Sequence, residues 1–183
     1  MERLEQLRIP ARRKAAEIGR QLTETSPESF VRATFTSPGY GTYSIVGSAR
    51  QVSSLYVAGV ELGAAGKPSR DVVALEAQEA LDFPTDVEAV RDRAELAEVV
   101  SALQAGDVVH AYFADPSYGP FSLIGVAVAS PDGREWLVGS WFLSRKGGPA
   151  ARLIDLEVVA AAGSHDVPVP AALQFWPSAK DEV

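Results

Sequence analysis

Apolar residues at Leu4, Leu7, Ala11, Ala15, Ile18 and Leu22 recur at spacings of three and four, which places them on one face of a helix. The pattern predicts that this helix ends near Thr25, ahead of Ser26-Pro27, with Pro10 either kinking it or standing in its first turn. From Phe30 the period changes. Val31, Ala33 and Phe35 alternate with Arg32, Thr34 and Thr36, as in a half-buried strand. Ser37-Pro38-Gly39-Tyr40-Gly41 has turn chemistry, and returning strands are predicted over residues 43–50, 51–63 and 70–76. A second helix is predicted from the Thr85/Glu88 capping box to Gly106, with Val87, Val90, Ala94, Ala97 and Val100 along one face. Four more strands follow over residues 107–114, 121–129, 135–144 and 151–159. Beyond Ala160 the chain is small and proline-rich. It reads as an extended tail that Phe175 and Trp176 pin to the body.

The second series of strands repeats the first. Val31–Gly47 and Val109–Gly125 align at a constant offset of 78 residues and are identical at 8 of 17 positions: Val31, Ala33, Phe35, Pro38, Tyr40, Gly41, Ser44 and Gly47 in the first copy. Leu55–Glu76 aligns with Trp136–Glu157 at an offset of 81, and Ser130-Pro131-Asp132-Gly133 accounts for the longer turn. The chain therefore reads as an internal duplication of a helix plus four antiparallel strands. Repeat 1 covers residues 1–83, repeat 2 covers 84–159, and the tail covers 160–183. The expected class is α+β: a pseudo-two-fold, twisted antiparallel sheet or partial barrel with the helices packed on one face.

The copies differ in an ordered way. One face of the first strand is identical in both (Val31, Ala33, Phe35 and Val109, Ala111, Phe113) and is assigned to the core. The other has changed, with Arg32, Thr34 and Thr36 becoming His110, Tyr112 and Ala114. Leu55 and Val60 became Trp136 and Trp141. A site on a duplicated scaffold is expected where one copy gained polar and aromatic groups.

Composition narrows the classes. A net charge of −7 argues against nonspecific nucleic-acid binding, which needs a positive field. Residues 1–20 nonetheless carry six basic against three acidic side chains, so the first helix is basic on an acidic body. No apolar run is long enough to span a bilayer and the N-terminus lacks a signal-peptide core, so a cytoplasmic protein is expected. With no cysteine there is no thiolate nucleophile or thiolate metal site, and two distant histidines give no transition-metal constellation. Neither metal nor cofactor is expected.

The candidate ligand-binding group is therefore drawn from the second copy: His110, Tyr112, Asp115, Tyr118, Trp141, Arg145 and Lys146. Imidazole and phenol supply a titratable nitrogen and a proton donor, the aromatics supply stacking, and Arg145-Lys146-Gly147-Gly148 supplies charge beside a glycine turn. That turn precedes Pro149 and a strand rather than a helix, so it lacks the amides of a phosphate loop. His165 reads as a loop residue. Glu76 and Glu157 match across the repeat, either as strand-end residues in solvent or as a carboxylate pair. Three functions are carried: a non-catalytic binding or adaptor protein; a small-molecule enzyme around His110 and Tyr112; and a dimeric scaffold. A homodimer is expected from the aromatic content of the second copy, Tyr112, Trp136, Trp141 and Phe142.

Overall fold

The computed structural model describes residues 2–8, 14–64, 66–79 and 92–170. Pro10, the Thr85/Glu88 capping box, the predicted boundary at residue 83, and the Phe175/Trp176 pair lie outside them. The chain runs α1 (Glu2–Glu5), α2 (Ala15–Glu24), β1 (Phe30–Ser37), β2 (Gly41–Gln51), β3 (Leu55–Val57), β4 (Val60–Ala64), β5 (Lys67–Pro68) and β6 (Val72–Gln78). It continues with α3 (Arg93–Ser101), β7 (Val108–Asp115), β8 (Gly119–Ala129), β9 (Trp136–Val138), β10 (Trp141–Arg145), β11 (Gly148–Pro149) and β12 (Leu153–Ala160).

Two long hairpins, β1–β2 and β7–β8, join through β2 and β8. These strands pair from Tyr43↔Gly125 to Val46↔Ser122. The outer neighbours β6 and β12 complete a six-stranded antiparallel run, β6-β1-β2-β8-β7-β12. Beyond their shared segment β2 and β8 change partners. Ala49–Gln51 pair with β3, and Ala127–Ala129 pair with β9. From there β3-β4-β5 and β9-β10-β11 carry the sheet onward. Two glycines permit the crossing. A Cβ on Gly47 would stand 3.0 Å from Phe121 Cβ and 3.2 Å from Val57, and one on Gly125 would stand 3.0 Å from both Tyr43 Cβ and Val138.

The expected α+β class, with helices covering one sheet face, is wrong. The described residues are mostly antiparallel sheet, 49% strand against 15% helix, in one twelve-stranded sheet. The reason lies in how the apolar faces are used. Each half curls until its strands bury one another, and the main core is made largely of strand residues such as Phe35, Ile45, Leu62, Phe113, Leu123 and Leu156. The helices close seams instead. α2 touches β4, β5 and β6, the two ends of the first half's run, and α3 touches β11 and β12. Each half has six strands, not four. The predicted third strands break into hairpins at Ala58-Gly59 and Gly139-Ser140. Ala58 and Gly59 both hold positive φ (46° and 76°), as a tight two-residue turn requires.

The predicted first helix is two elements with different burial. Leu7, just after α1, packs with Val108, Ile124 and Val126, whereas Ile18 and Leu22 of α2 enter the main core. α2 ends at a Thr25 cap, where the periodicity placed its end. α3 starts at Arg93, and Asp92 accepts the Ala94 N–H at 3.3 Å.

Val31, Ala33, Phe35, Val109, Ala111 and Phe113 are all buried, as the shared face predicts. The opposite face is buried too: Thr34, Ser44, His110, Tyr112, Ser122 and Ile124 are each under 7% exposed. Leu7 covers part of it, the Gln6 carbonyl accepts from Thr34, and Arg3 pairs with Glu157. Its polar groups bond among themselves, Thr34 to Ser44 and Thr36 to Thr42, because a buried polar group without a partner is costly. Glu76 sits across from Arg32 on β1, so the matched glutamates lie near opposite edges of the central run and form no carboxylate pair.

The aromatic residues that suggested self-association are engaged within the chain. Trp136 and Tyr112 are buried, Trp141 packs on Phe113, Phe121 and Tyr118, and Phe142 lies under Arg145. No helix among the described residues is long and apolar enough to cross a membrane.

Candidate functional site

Strand alternation separates the seven predicted residues. His110 and Tyr112 project from the face of β7 opposite Phe113, which is also buried. Their rings stack with centroids 4.3 Å apart, and Nδ1 shares a hydrogen bond with the phenol at 3.2 Å. Phe113, on the other face of the same strand, meets Trp141. Tyr118 meets Trp141 edge-on, and the Trp141 indole donates to the Ala58 carbonyl at 3.1 Å. Trp141 thus fastens the second half to the β3–β4 turn of the first. Asp115 is a turn residue: Oδ1 accepts the N–H groups of Ser117 and Tyr118 (2.7 and 3.2 Å), and Oδ2 lies 3.7 Å from Arg152. Arg145 stands 4.0 Å over the Phe142 ring, and Lys146 is exposed in the β10–β11 turn at φ 51°. His110 pairs with Tyr112, and Tyr118 with Trp141. The seven residues do not converge.

Tyr118 does reach an open cleft of about 510 Å³, within the usual size of small-molecule sites. Its other walls come mainly from the first half: Glu28, Arg50, Gln51 and Tyr56. Arg50 is placed by the β2–β3 pairing, opposite Tyr56 in register. Its Nε is buried and has no hydrogen-bond acceptor. Leaving a buried donor unmet costs about 1–3 kcal/mol, more where the group is charged.

Glu28 is the second unusual wall. It is the third residue of the Ser26–Ser29 turn, closed by a Ser29 N–H to Ser26 O bond at 3.2 Å, and it holds φ 70°. That backbone favours glycine and costs another residue about 1–2 kcal/mol. The matching turn in the second half, Gln104–Asp107, has Gly106 there at φ 98°. The other walls differ in the same way. At the two offsets Arg50 corresponds to Val128 and Tyr56 to Leu137, both buried. The cleft is therefore polar in the first half, and its counterpart positions are apolar in the second.

The sequence comparison, drawn toward the aromatic and polar groups of residues 107–159, did not single out Arg50, Glu28 and Tyr56, which line this cleft. The signal was present in the reverse comparison, where the first copy carries charge and hydroxyl against valine, glycine and leucine. His165 lies in the loop after β12, as read from the sequence, and is hydrogen-bonded there. Its Nδ1 accepts the Val167 N–H at 3.1 Å, so Nε2 carries the proton and donates to the Gly106 carbonyl at 2.7 Å. Asp107, buried beside it, accepts the N–H groups of Gln104 and Ala162. Together they fasten the segment after β12 to the start of β7.

Two groups titrate away from their ordinary ranges. Burial pushes the Tyr43 phenol upward, partly offset by a hydrogen bond with Ser140. The Ser130 hydroxyl and the Arg134 N–H hold the Asp132 carboxyl below the usual range in its exposed turn. Among the described residues no three His, Asp or Glu side chains are grouped to hold a metal ion. The chain matches no family model, no curated protein and no solved structure.

Proposed function

We propose that this protein is a non-catalytic binding protein whose ligand presents an anionic group to Arg50 in the cleft between the two halves. The observation that carries the reading is the Arg50 guanidinium, a cleft-lining charge with no ion-pair partner among the described residues. A carboxylate or phosphate in the cleft would answer this charge with a charge-assisted bond. Tyr56, Ser117 and Tyr118 add hydroxyls and ring surface around it. The enzyme reading around His110 and Tyr112 has less support, because both side chains are buried against the sheet.

A thermal-shift panel of small carboxylates and phosphates tests this. A ligand that binds only the folded state raises the wild-type midpoint. Arg50→Gln, which keeps a polar side chain without the charge, abolishes the rise. Equal rises in both proteins, or no rise with any member of the panel, contradict the reading.

We also infer that the halves descend from one duplicated unit, a helix plus six strands. The support is the constant spacing of elements: β1 and β7, like β2 and β8, start 78 residues apart, and β3 and β9, like β4 and β10, start 81 apart. α2 and α3 also start 78 apart.

A further inference from the structure

The cleft holds two opposite charges that do not meet. Glu28 and Arg50 both line it, and neither has an ion-pair or side-chain hydrogen-bond partner among the described residues. Glu28 is, moreover, kept at a left-handed position where the second half uses Gly106. Backbone strain held at a binding surface is a mark of function. Tyr56 and Tyr118 flank the same hollow, and Tyr118 lies against Gly59, where an added Cβ would come within 3.0 Å of its ring.

Resting on the Arg50 reading above, we infer that the ligand is a zwitterion, an α-amino acid with an aromatic side chain, whose carboxylate meets Arg50 and whose ammonium meets Glu28. Each charge of such a ligand answers one unpaired charge of the protein, and its ring stacks against tyrosine. Binding is non-covalent and needs no further reactant. The counterpart positions in the second half, Gly106, Val128 and Leu137, offer neither charge, so one ligand binds per chain.

Phenylalanine, N-acetylphenylalanine and phenylalanine amide separate the contributions when titrated into the full chain and followed by calorimetry and backbone amide shifts. Phenylalanine binds with a stoichiometry of one and moves the amides of Glu28, Arg50, Tyr56 and Tyr118. Masking either charge weakens binding roughly tenfold or more, as expected for losing a charged hydrogen bond. Glu28→Gln keeps the length and the strained backbone, and lowers phenylalanine affinity to that of the wild type for N-acetylphenylalanine. Glu28→Gly, which relieves the strain, melts no lower than wild type yet shows the same loss.

N-acetylphenylalanine binding as tightly as phenylalanine, with Glu28→Gln silent, overturns this inference and leaves the Arg50 reading standing. So does a failure of phenylalanine to bind while another carboxylate binds through Arg50. Phenylalanine binding that survives Arg50→Gln overturns both. A lower melting point for Glu28→Gly overturns the strain argument.

Discussion

Single residues show most sharply where this fold tolerates no change. Gly19 of α2 sits against β5 so closely that an added Cβ would lie 2.2 Å from the Gly66 carbonyl oxygen. Backbone cannot yield as a side-chain tip can. Gly19→Ala is expected to destabilise by about 1–3 kcal/mol despite alanine's better helix propensity, measured as a lower denaturant midpoint at unchanged slope. In α3 the equivalent position is Ala97, and Gly147, which corresponds to Gly66, has nothing within 4 Å of a built Cβ. The two helices therefore dock at different depths. Tyr43 gives the pH prediction. Its phenol is pushed above the ordinary tyrosine value of about 10 chiefly by burial. The unfolded chain ionises first, so the contribution is complete below about pH 10 and is lost as pH rises above it. Tyr43→Phe is expected to flatten that alkaline loss of stability, and the phenolate absorbance of the wild type is expected to show one tyrosine that ionises only on unfolding.

Elements explain why the helix prediction half succeeded. The spacing from Leu4 to Leu22 is helical, yet Leu7 belongs with Val108, Ile124 and Val126 on one face of the sheet while Ile18 and Leu22 belong to the core on the other. Periodicity reports that residues share a face. It is silent on which layer that face meets. Leu7→Ala is expected to cost about 2–5 kcal/mol, as for other buried leucines, and to speed hydrogen exchange in β7 and β8 more than in β4. α3 is fastened by polar contacts: the Arg93 guanidinium donates to the carbonyls of Pro149, Ala150 and Leu153 at 2.8–3.2 Å. Arg93→Ala is expected to destabilise by about 1–3 kcal/mol, with the earliest exchange in β11 and the start of β12. Lysine at the same position is expected to recover only part of this, since one ammonium cannot fork across several carbonyls.

At the scale of the molecule, the buried faces of β1 and β7 were legible because Phe35 and Phe113 stand in identical alternating settings, and alternation fixes which side of a strand is core. The curl was not legible. Gly47 and Gly125 read as ordinary strand glycines until β2 and β8 are seen to cross there, with Phe121 and Tyr43 pressed against them. With that crossing the strands of both halves build one main core and the helices close its seams, which is why helices on a sheet face was the wrong expectation. Both faces of β7 are covered, so the polar His110 and Tyr112 are buried within the molecule. Only Tyr118 of the predicted group reaches the cleft. Arg50 and Glu28 were hidden because an arginine in a strand and a glutamate after a proline are unremarkable until the structure leaves both charges unmet. Binding, as proposed, resides in this cleft. Its most direct test is an amide chemical-shift titration of the full chain with phenylalanine, run on the wild type, Arg50→Gln and His110→Ala. The account predicts shifts at Glu28, Arg50, Tyr56 and Tyr118 in the wild type and in His110→Ala, and their loss in Arg50→Gln. Shifts centred on His110 and Tyr112, or a response that persists in Arg50→Gln, would contradict it.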